Sequence, residues 1–280
     1  MSHELIMMAL QEDIGEGDIT SEYFIPEDRA ARAFLAVRED GVVSGISLAE
    51  QVFIEVDPNL EIQILVEDGS QVSEGAMLMR IEGKARSILT AERTALNFLQ
   101  RLSGIATMTA RYVEKVKHTR AKILDTRKTT PGYRALEKKA VEDGGGTNHR
   151  MGLLDRAMVK DNHLVSENGI EALQSAILRV KAEKPHAEVE LEADDLEQVA
   201  KFLKLDGVDY ILLDNMSLEE LREAVEMREE THRVRLEASG GVTLDTVGDI
   251  ADTGVDFISV GALTHSAPSL DIGLDFTPVE

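Results

Sequence analysis

In Tyr210-Ile-Leu-Leu-Asp-Asn-Met-Ser-Leu-Glu-Glu-Leu-Arg-Glu-Ala-Val-Glu-Met227, a short apolar run ends on Asp214-Asn215 and gives way to a helical pattern over 217–227. A second apolar run, Val234-Arg-Leu236, follows and ends on Glu237-Ala-Ser-Gly-Gly241. Strand, polar strand end, helix, strand is the unit of a parallel sheet. The same rhythm extends outward in both directions. Apolar runs recur at 121–124, 157–159, 188–191 and 257–260, with helical segments at 167–183, 196–203 and 244–253. There is no G-x-G-x-x-G fingerprint and no Walker A loop. Some six or seven strand–helix units without a dinucleotide fingerprint predict an α/β barrel rather than an open doubly wound sheet.

The first hundred residues read differently. A helix is expected over 2–13, strands over 31–38 and 41–46, and a helix over 47–56. Residues 61–66 and 77–81 alternate apolar and polar, and Asp68-Gly69 and Glu74-Gly75 supply turns, so a twisted antiparallel hairpin sheet is expected. Residues 90–112 form a long helical stretch with an expected break near Ser103-Gly104.

Composition excludes several classes of function. The chain has 280 residues, no cysteine and a net charge of −22. Thiolate nucleophiles, disulfides and cysteine-based zinc sites are therefore ruled out. So large a negative charge argues against nucleic acid and against an anionic membrane surface as partners. No apolar run approaches the roughly 20 residues of a membrane helix, and the acid-flanked Leu5–Leu10 stretch is unlike a secretory signal. A cytoplasmic location is expected. The charge is unevenly spread. Residues 120–160 hold ten Lys/Arg against five acids, which predicts either an anion site or a solvated basic helix around 134–139.

The chemistry is written at the strand ends. In a barrel the C-terminal ends of all strands open on one face, where chemistry is built. Here they carry Asp125-Thr126-Arg127-Lys128, Lys160-Asp161-Asn162-His163, Glu190 and Glu192, Asp214-Asn215, Glu237 to Gly241, and Gly261-Ala262. Ser239-Gly240-Gly241 and Gly261 suit a phosphate, because glycine lets backbone N–H groups approach an oxyanion. Arg127, Lys128, His149, Arg150 and Lys160 form a cationic side suited to carboxylates. Glu192 and Asp214 fit Mg²⁺ or a ribose diol, or else ion-pair with Lys128 or Lys160. Lys160 also fits a Schiff-base lysine.

Long motifs in fixed order make the chain resemble the quinolinate phosphoribosyltransferases, or carboxylating nicotinate-nucleotide pyrophosphorylases. They are Thr90-Ala-Glu-Arg-Thr-Ala-Leu-Asn97, Leu124-Asp-Thr-Arg-Lys-Thr-Thr-Pro-Gly132, Gly144-Gly-Gly-Thr-Asn-His-Arg150, Lys160-Asp-Asn-His163, Glu190-Leu-Glu192, Leu213-Asp-Asn215, Glu237-Ala-Ser-Gly-Gly241 and Gly261-Ala-Leu-Thr-His-Ser266. Tyr133 stands where the family pattern has Leu, and 191–193 is less β-branched than that pattern; neither departure removes a charged residue. The resemblance implies an incomplete α/β barrel over 104–265. It also implies an N-terminal α/β sandwich over 1–103, joined by the tail 266–280. The implied reaction transfers phosphoribose from phosphoribosyl pyrophosphate to quinolinate with decarboxylation, giving nicotinate mononucleotide, pyrophosphate and CO₂ in de novo NAD synthesis. It implies that Arg127, His149, Arg150 and Lys160 hold the quinolinate carboxylates, with Thr126 and Lys128 beside them. Lys128, Lys160, Glu192 and Asp214 become the catalytic set, Glu192 and Asp214 also the Mg²⁺ set. Ser239, Gly240, Gly241 and Gly261 become the 5′-phosphate cradle, with His265 close by. The implied assembly is a homodimer with shared active sites, in which Arg93 reaches into the neighbour's site; a hexamer of dimers stays open.

Overall fold

The computed structural model describes residues 2–160, 169–228 and 233–278. They divide into two compact units, one comprising 1–110, 135–145 and 267–280, the other 111–134 and 146–266.

The first unit is built on a four-stranded antiparallel sheet in the order β12 (Ile272–Pro278), β1 (Ala30–Val37), β5 (Met77–Lys84), β3 (Glu61–Ile64). Strand alternation sets its inner face: Ala31, Ala33 and Leu35 of β1 and Ile81 of β5 are buried. The expected hairpin is present, since β3 pairs antiparallel with β5 and Ile62 lies opposite Ile81. Between them β4 (Gln71–Val72) leaves to pair with β2 (Gly41–Val42). The strand expected over 41–46 therefore stops at Val42. The Ile46 amide is taken by the Asp68 carboxylate at 2.9 Å, and helix α3 (Ile46–Val56) begins there. It follows α1 (Ser2–Ile14) and α2 (Ile19–Phe24).

Helix α4 runs unbroken over Ala85–Val116, so the break expected at Ser103-Gly104 does not occur. Both residues serve the packing instead. The Ser103 hydroxyl accepts the Ser44 amide at 3.0 Å. A Cβ at residue 104 would lie 2.0 Å from the Pro268 carbonyl oxygen, so glycine lets the returning tail pass. Helix α5 (Arg134–Asp143) is not the solvated basic helix considered as an alternative. Glu137 and Lys138 are both buried, and Glu137 takes a 2.9 Å ion pair from Arg101.

The second unit is a parallel sheet of six strands, in the order β6 (Lys122–Leu124), β11 (Phe257–Ser259), β10 (Arg235–Ser239), β9 (Tyr210–Asp214), β8 (Glu188–Ala193), β7 (Arg156–Val159). Among the described residues no strand joins β7 back to β6, so the barrel is incomplete. Helices Gly169–Glu183, Leu196–Phe202, Leu218–Met227 and Val247–Ala251 connect the strands. The Leu218–Met227 helix has the reciprocal Ser217/Glu220 capping box, which satisfies two of the helix's unpaired amides. One face of the sheet is apolar and buried, with Leu191, Ile211, Leu213, Leu236 and Ile258. The alternate positions carry charge. Arg156 pairs in register with Glu188, Glu190 with Tyr210, and Ser239 with Asp214. At the N-terminal ends the Arg156 guanidinium stacks 4.0 Å over the Tyr210 ring and bonds Glu188 at 2.7 Å. The Tyr210 hydroxyl accepts Arg235 at 2.6 Å and donates to Glu188 at 3.1 Å. A polar column thus fills the concave side where barrel interiors are ordinarily apolar.

Candidate active site

The strand ends of the second unit enclose a cavity of about 770 Å³. Every expected site residue except Arg93 lines it, from Thr126, Arg127 and Lys128 through His149, Arg150, Lys160, Glu192 and Asp214 to Ser239, Gly240, Gly241, Gly261 and His265. Arg93 lies exposed on α4, in the first unit. Asp161, Asn162 and His163 fall outside the described residues.

The turn after β6 is held by its own side chains. The Thr126 hydroxyl accepts the Lys128 amide at 3.1 Å, and the Lys128 carbonyl accepts the Thr264 hydroxyl at 2.8 Å. The Lys128 stem crosses Gly261, where a Cβ would come within 3.1 Å of Lys128 Cδ. Arg127 Nε is buried and makes no hydrogen bond within the described chain. A buried guanidinium donor left in this state requires an acceptor, and a carboxylate supplies one. Burial, then the neighbouring Arg127 charge, pulls the Arg150 pKa below its ordinary value; a guanidinium stays charged even so.

The acids divide between two levels. At the mouth, Glu192 is ion-paired with Lys160, and the Asp214 carboxylate accepts the Asn215 side-chain amide at 2.9 Å. The pairing foreseen as one of two alternatives for Glu192 is thus present. Both acids are hard oxygen donors, the ligand type Mg²⁺ takes, and both line the cavity. At the turn after β10, Gly240 sits at φ +101°, and a Cβ there would meet Asn215 Oδ1 at 2.1 Å. Only glycine fits that approach.

Below the mouth lie residues to which the sequence reading gave no role. Glu190 and Glu237 are fully buried and face His149, whose Nε2 is 3.2 Å from Glu190 Oε2 and 3.5 Å from Glu237 Oε2. Arg156 Nη1 donates to Glu190 at 3.3 Å, and the Ser259 hydroxyl donates to Glu237 at 2.5 Å. Burial lowers the His149 pKa, but the two carboxylates outweigh it and push it up to about 9, so the imidazole and the two carboxyl groups together keep one proton through neutral pH. The available signal was the alternation Glu188-Val-Glu-Leu-Glu192. Three acids on one face of a buried strand require a charged layer to meet them.

Two family descriptions match the chain: "Quinolinate phosphoribosyl transferase, N-terminal domain" over residues 18–103 and its C-terminal counterpart over 105–275. A mitochondrial quinolinate phosphoribosyltransferase (decarboxylating) of Nicotiana glauca is 44% identical, over 97% of this chain and 81% of its own length. The nicotinate-nucleotide pyrophosphorylase (carboxylating) of Mycobacterium leprae is 43% identical, over 98% of this chain and 96% of its own. The crystal structure of NadC from Streptococcus pyogenes superposes with a TM-score of 0.91 at 39% identity, covering 99% of this chain and 97% of that one.

Proposed function

The chain belongs to the quinolinate phosphoribosyltransferase family, and from that membership and the cavity's geometry we infer how its residues divide the work of the reaction. The enzyme transfers phosphoribose from phosphoribosyl pyrophosphate to quinolinate with loss of CO₂, giving nicotinate mononucleotide and pyrophosphate for NAD biosynthesis. The observation that carries the assignment of roles is the charge layout of one cavity. Arg127, Lys128, Arg150 and Lys160 line it together with Glu192, Asp214 and the glycine turns.

Both substrates are polyanions, so the cations provide binding. Arg127 and Arg150 take the two pyridine carboxylates, since a guanidinium fork matches a carboxylate; Lys160 and Thr126 complete that end, and His149 supports Arg150. Ser239, Gly240, Gly241 and Gly261 receive the 5′-phosphate, with His265 at its edge. The pyridine nitrogen then meets the anomeric carbon of the ribose. As pyrophosphate departs, positive charge grows on the ribose, and Glu192 and Asp214 stabilise it. Glu192 and Asp214 are the residues that would hold Mg²⁺, which when bound would supply charge neutralisation for the leaving group. The resulting pyridinium carries its 2-carboxylate beside a cationic nitrogen, which favours loss of CO₂. Lys128 lies on the same side and can return a proton to the ring.

The working assembly is a cytoplasmic homodimer in which Arg93 of each chain completes the neighbour's cavity. Among the described residues no helix is long and apolar enough to cross a membrane. The test of the whole reading is incubation with quinolinate, phosphoribosyl pyrophosphate and Mg²⁺, with nicotinate mononucleotide followed by mass spectrometry. A parallel reaction with nicotinate, which lacks the 2-carboxylate, should be far slower, because the half-buried Arg127 and Arg150 would lose a counter-charge. Comparable turnover of the two acids would overturn the assignment of Arg127 and Arg150.

A further inference from the structure

His149 presents both ring nitrogens to the protein. The Arg150 amide N–H donates to Nδ1 at 2.7 Å, so Nδ1 keeps its lone pair and the ring proton sits on Nε2. That proton faces Glu190 Oε2 at 3.2 Å, with Glu237 Oε2 at 3.5 Å. Arg156 Nη1 is also 3.3 Å from Nε2, but it cannot donate to an N–H and serves Glu190 instead. A doubly protonated imidazolium would aim its Nδ1–H at the Arg150 amide.

With His149 neutral, the buried Glu190 and Glu237 have one buried guanidinium near them, that of Arg156, which also pairs with Glu188 at 2.7 Å, and the fully buried Asp125 accepts the His149 amide at 2.7 Å. Glu190 is the better placed, with both His149 and Arg156 as donors. Glu237 has the Ser259 hydroxyl on Oε1, while its Oε2 is buried and makes no hydrogen bond among the described residues. Its strand neighbours in register, Leu212 and Phe257, are uncharged. An ionised Glu237 would add a further buried negative charge with no cation of its own, directly beneath a site for a dianion, and unpaired buried charge is avoided by neutralisation. We propose that Glu237 is held as a neutral carboxylic acid and is a positioning residue: it keeps a further negative charge out of the layer under the cavity, holds His149 in its Nε2–H form, and so fixes the turn from which Arg150 meets the dicarboxylate.

Burial and the Glu190 charge push the Glu237 carboxyl up, in agreement with this placement of the proton. A divalent cation is the rival occupant, since the ligand atoms of His149, Glu190 and Glu237 lie within 4.8 Å of one another. Arg156 already fills the side of Glu190 and His149 that such an ion would take.

The inference rests on the quinolinate reading for its consequence, but the proton itself is tested without substrate. The infrared difference spectrum of wild type against Glu237→Gln at pH 7.5 should contain the carbonyl band of a protonated carboxylic acid. In ¹⁵N-histidine NMR, His149 should show a neutral ring protonated on Nε2. Absence of the band, an imidazolium pattern, or one tightly bound metal ion per chain would each overturn the proposal. In calorimetry at pH 7.5, Glu237→Ala should weaken quinolinate binding about tenfold, and Glu237→Gln, equally neutral and of the same size, should recover most of it. As pH is raised above 7.5 the wild type should lose affinity at least about fivefold more than Glu237→Gln, which has no carboxyl proton to release. A Gln variant no better than Ala, or one with the same alkaline loss as wild type, would show that Glu237 acts as a carboxylate.

Discussion

The two sheets of this molecule obey one rule of alternation and reach opposite results. In the first unit β1 and β5 turn Ala33, Leu35, Met79 and Ile81 inward, all fully buried, and the interior is closed by apolar contact. In the second unit β8 turns Val189 and Leu191 to its helices, but Glu188, Glu190 and Glu192 to the concave side, where Arg156, His149 and Lys160 meet them. The first interior is held by the hydrophobic effect, which is indifferent to direction. The second depends on matched charge, which is directional and costly to mismatch. The difference separates the residues that keep the chain folded from those that act on a substrate.

The sharpest break comes from the mouth of the second unit. Glu192→Ala with Asp214→Ala should lower turnover about a thousandfold, the scale of removing preorganised charge from a developing transition state. Quinolinate should still bind in calorimetry, because its carboxylates face the cations. Collapse of that binding would mean that the two acids serve to orient Lys160 and its neighbours.

The matching break in the first unit is Ile81→Ala. Ile81 is fully buried between Ala33 and Ile62 in the sheet register. Deleting so much buried side chain costs about 2–5 kcal/mol, read by urea unfolding. Quinolinate affinity of the folded protein should not change. If it falls in step with stability, the first unit does more than pack.

The second unit should also betray itself by pH. The His149 pKa is raised from 6.5 to about 9 in the folded chain, so the native cluster retains a proton that the unfolded chain has released. That stabilisation is complete below about pH 6.5 and is lost as pH rises through about 9, on the order of 3 kcal/mol across the window. The proton count is the same whether the proton rests on the imidazole or on Glu237. Urea midpoints should fall over this range in wild type and stay flat in the double variant His149→Gln/Glu237→Gln, which removes both groups that can hold the proton. An equal slope in both would place the titration elsewhere.

Much of this was legible in the chain, for physical reasons that also mark where legibility ended. Six parallel strands and the polar ends that line the cavity follow from local periodicity and punctuation, because each strand end is read within a few residues. Gly104 misled for the opposite reason. A glycine suggests a break by its own backbone, yet here it answers to Pro268, which lies far away in sequence. Helix α5 misled likewise: its Lys-rich face looked solvated until Glu137 met Arg101. Glu190 and Glu237 were visible as letters, but their role depends on three strands and the 149–150 turn converging on one point, which no single stretch records.

Arg93 gives the finest test of the division between the units, since it is the one expected site residue carried by the first. We place it in the neighbour's site, and two-fold symmetry then makes each site a composite of two chains. Arg93→Ala and Lys160→Ala should each be inactive alone. When their subunits exchange, a mixed dimer holds one site with both defects and one with neither. Random pairing makes about half the dimers mixed, so activity should return to roughly a quarter of wild type. Were Arg93 to serve its own chain, every site in the mixture would retain a defect and nothing would return. Exchange must be verified by native mass spectrometry; confirmed exchange without recovered activity would return Arg93 to its own chain, and the first unit would still contribute to chemistry, but without a shared site.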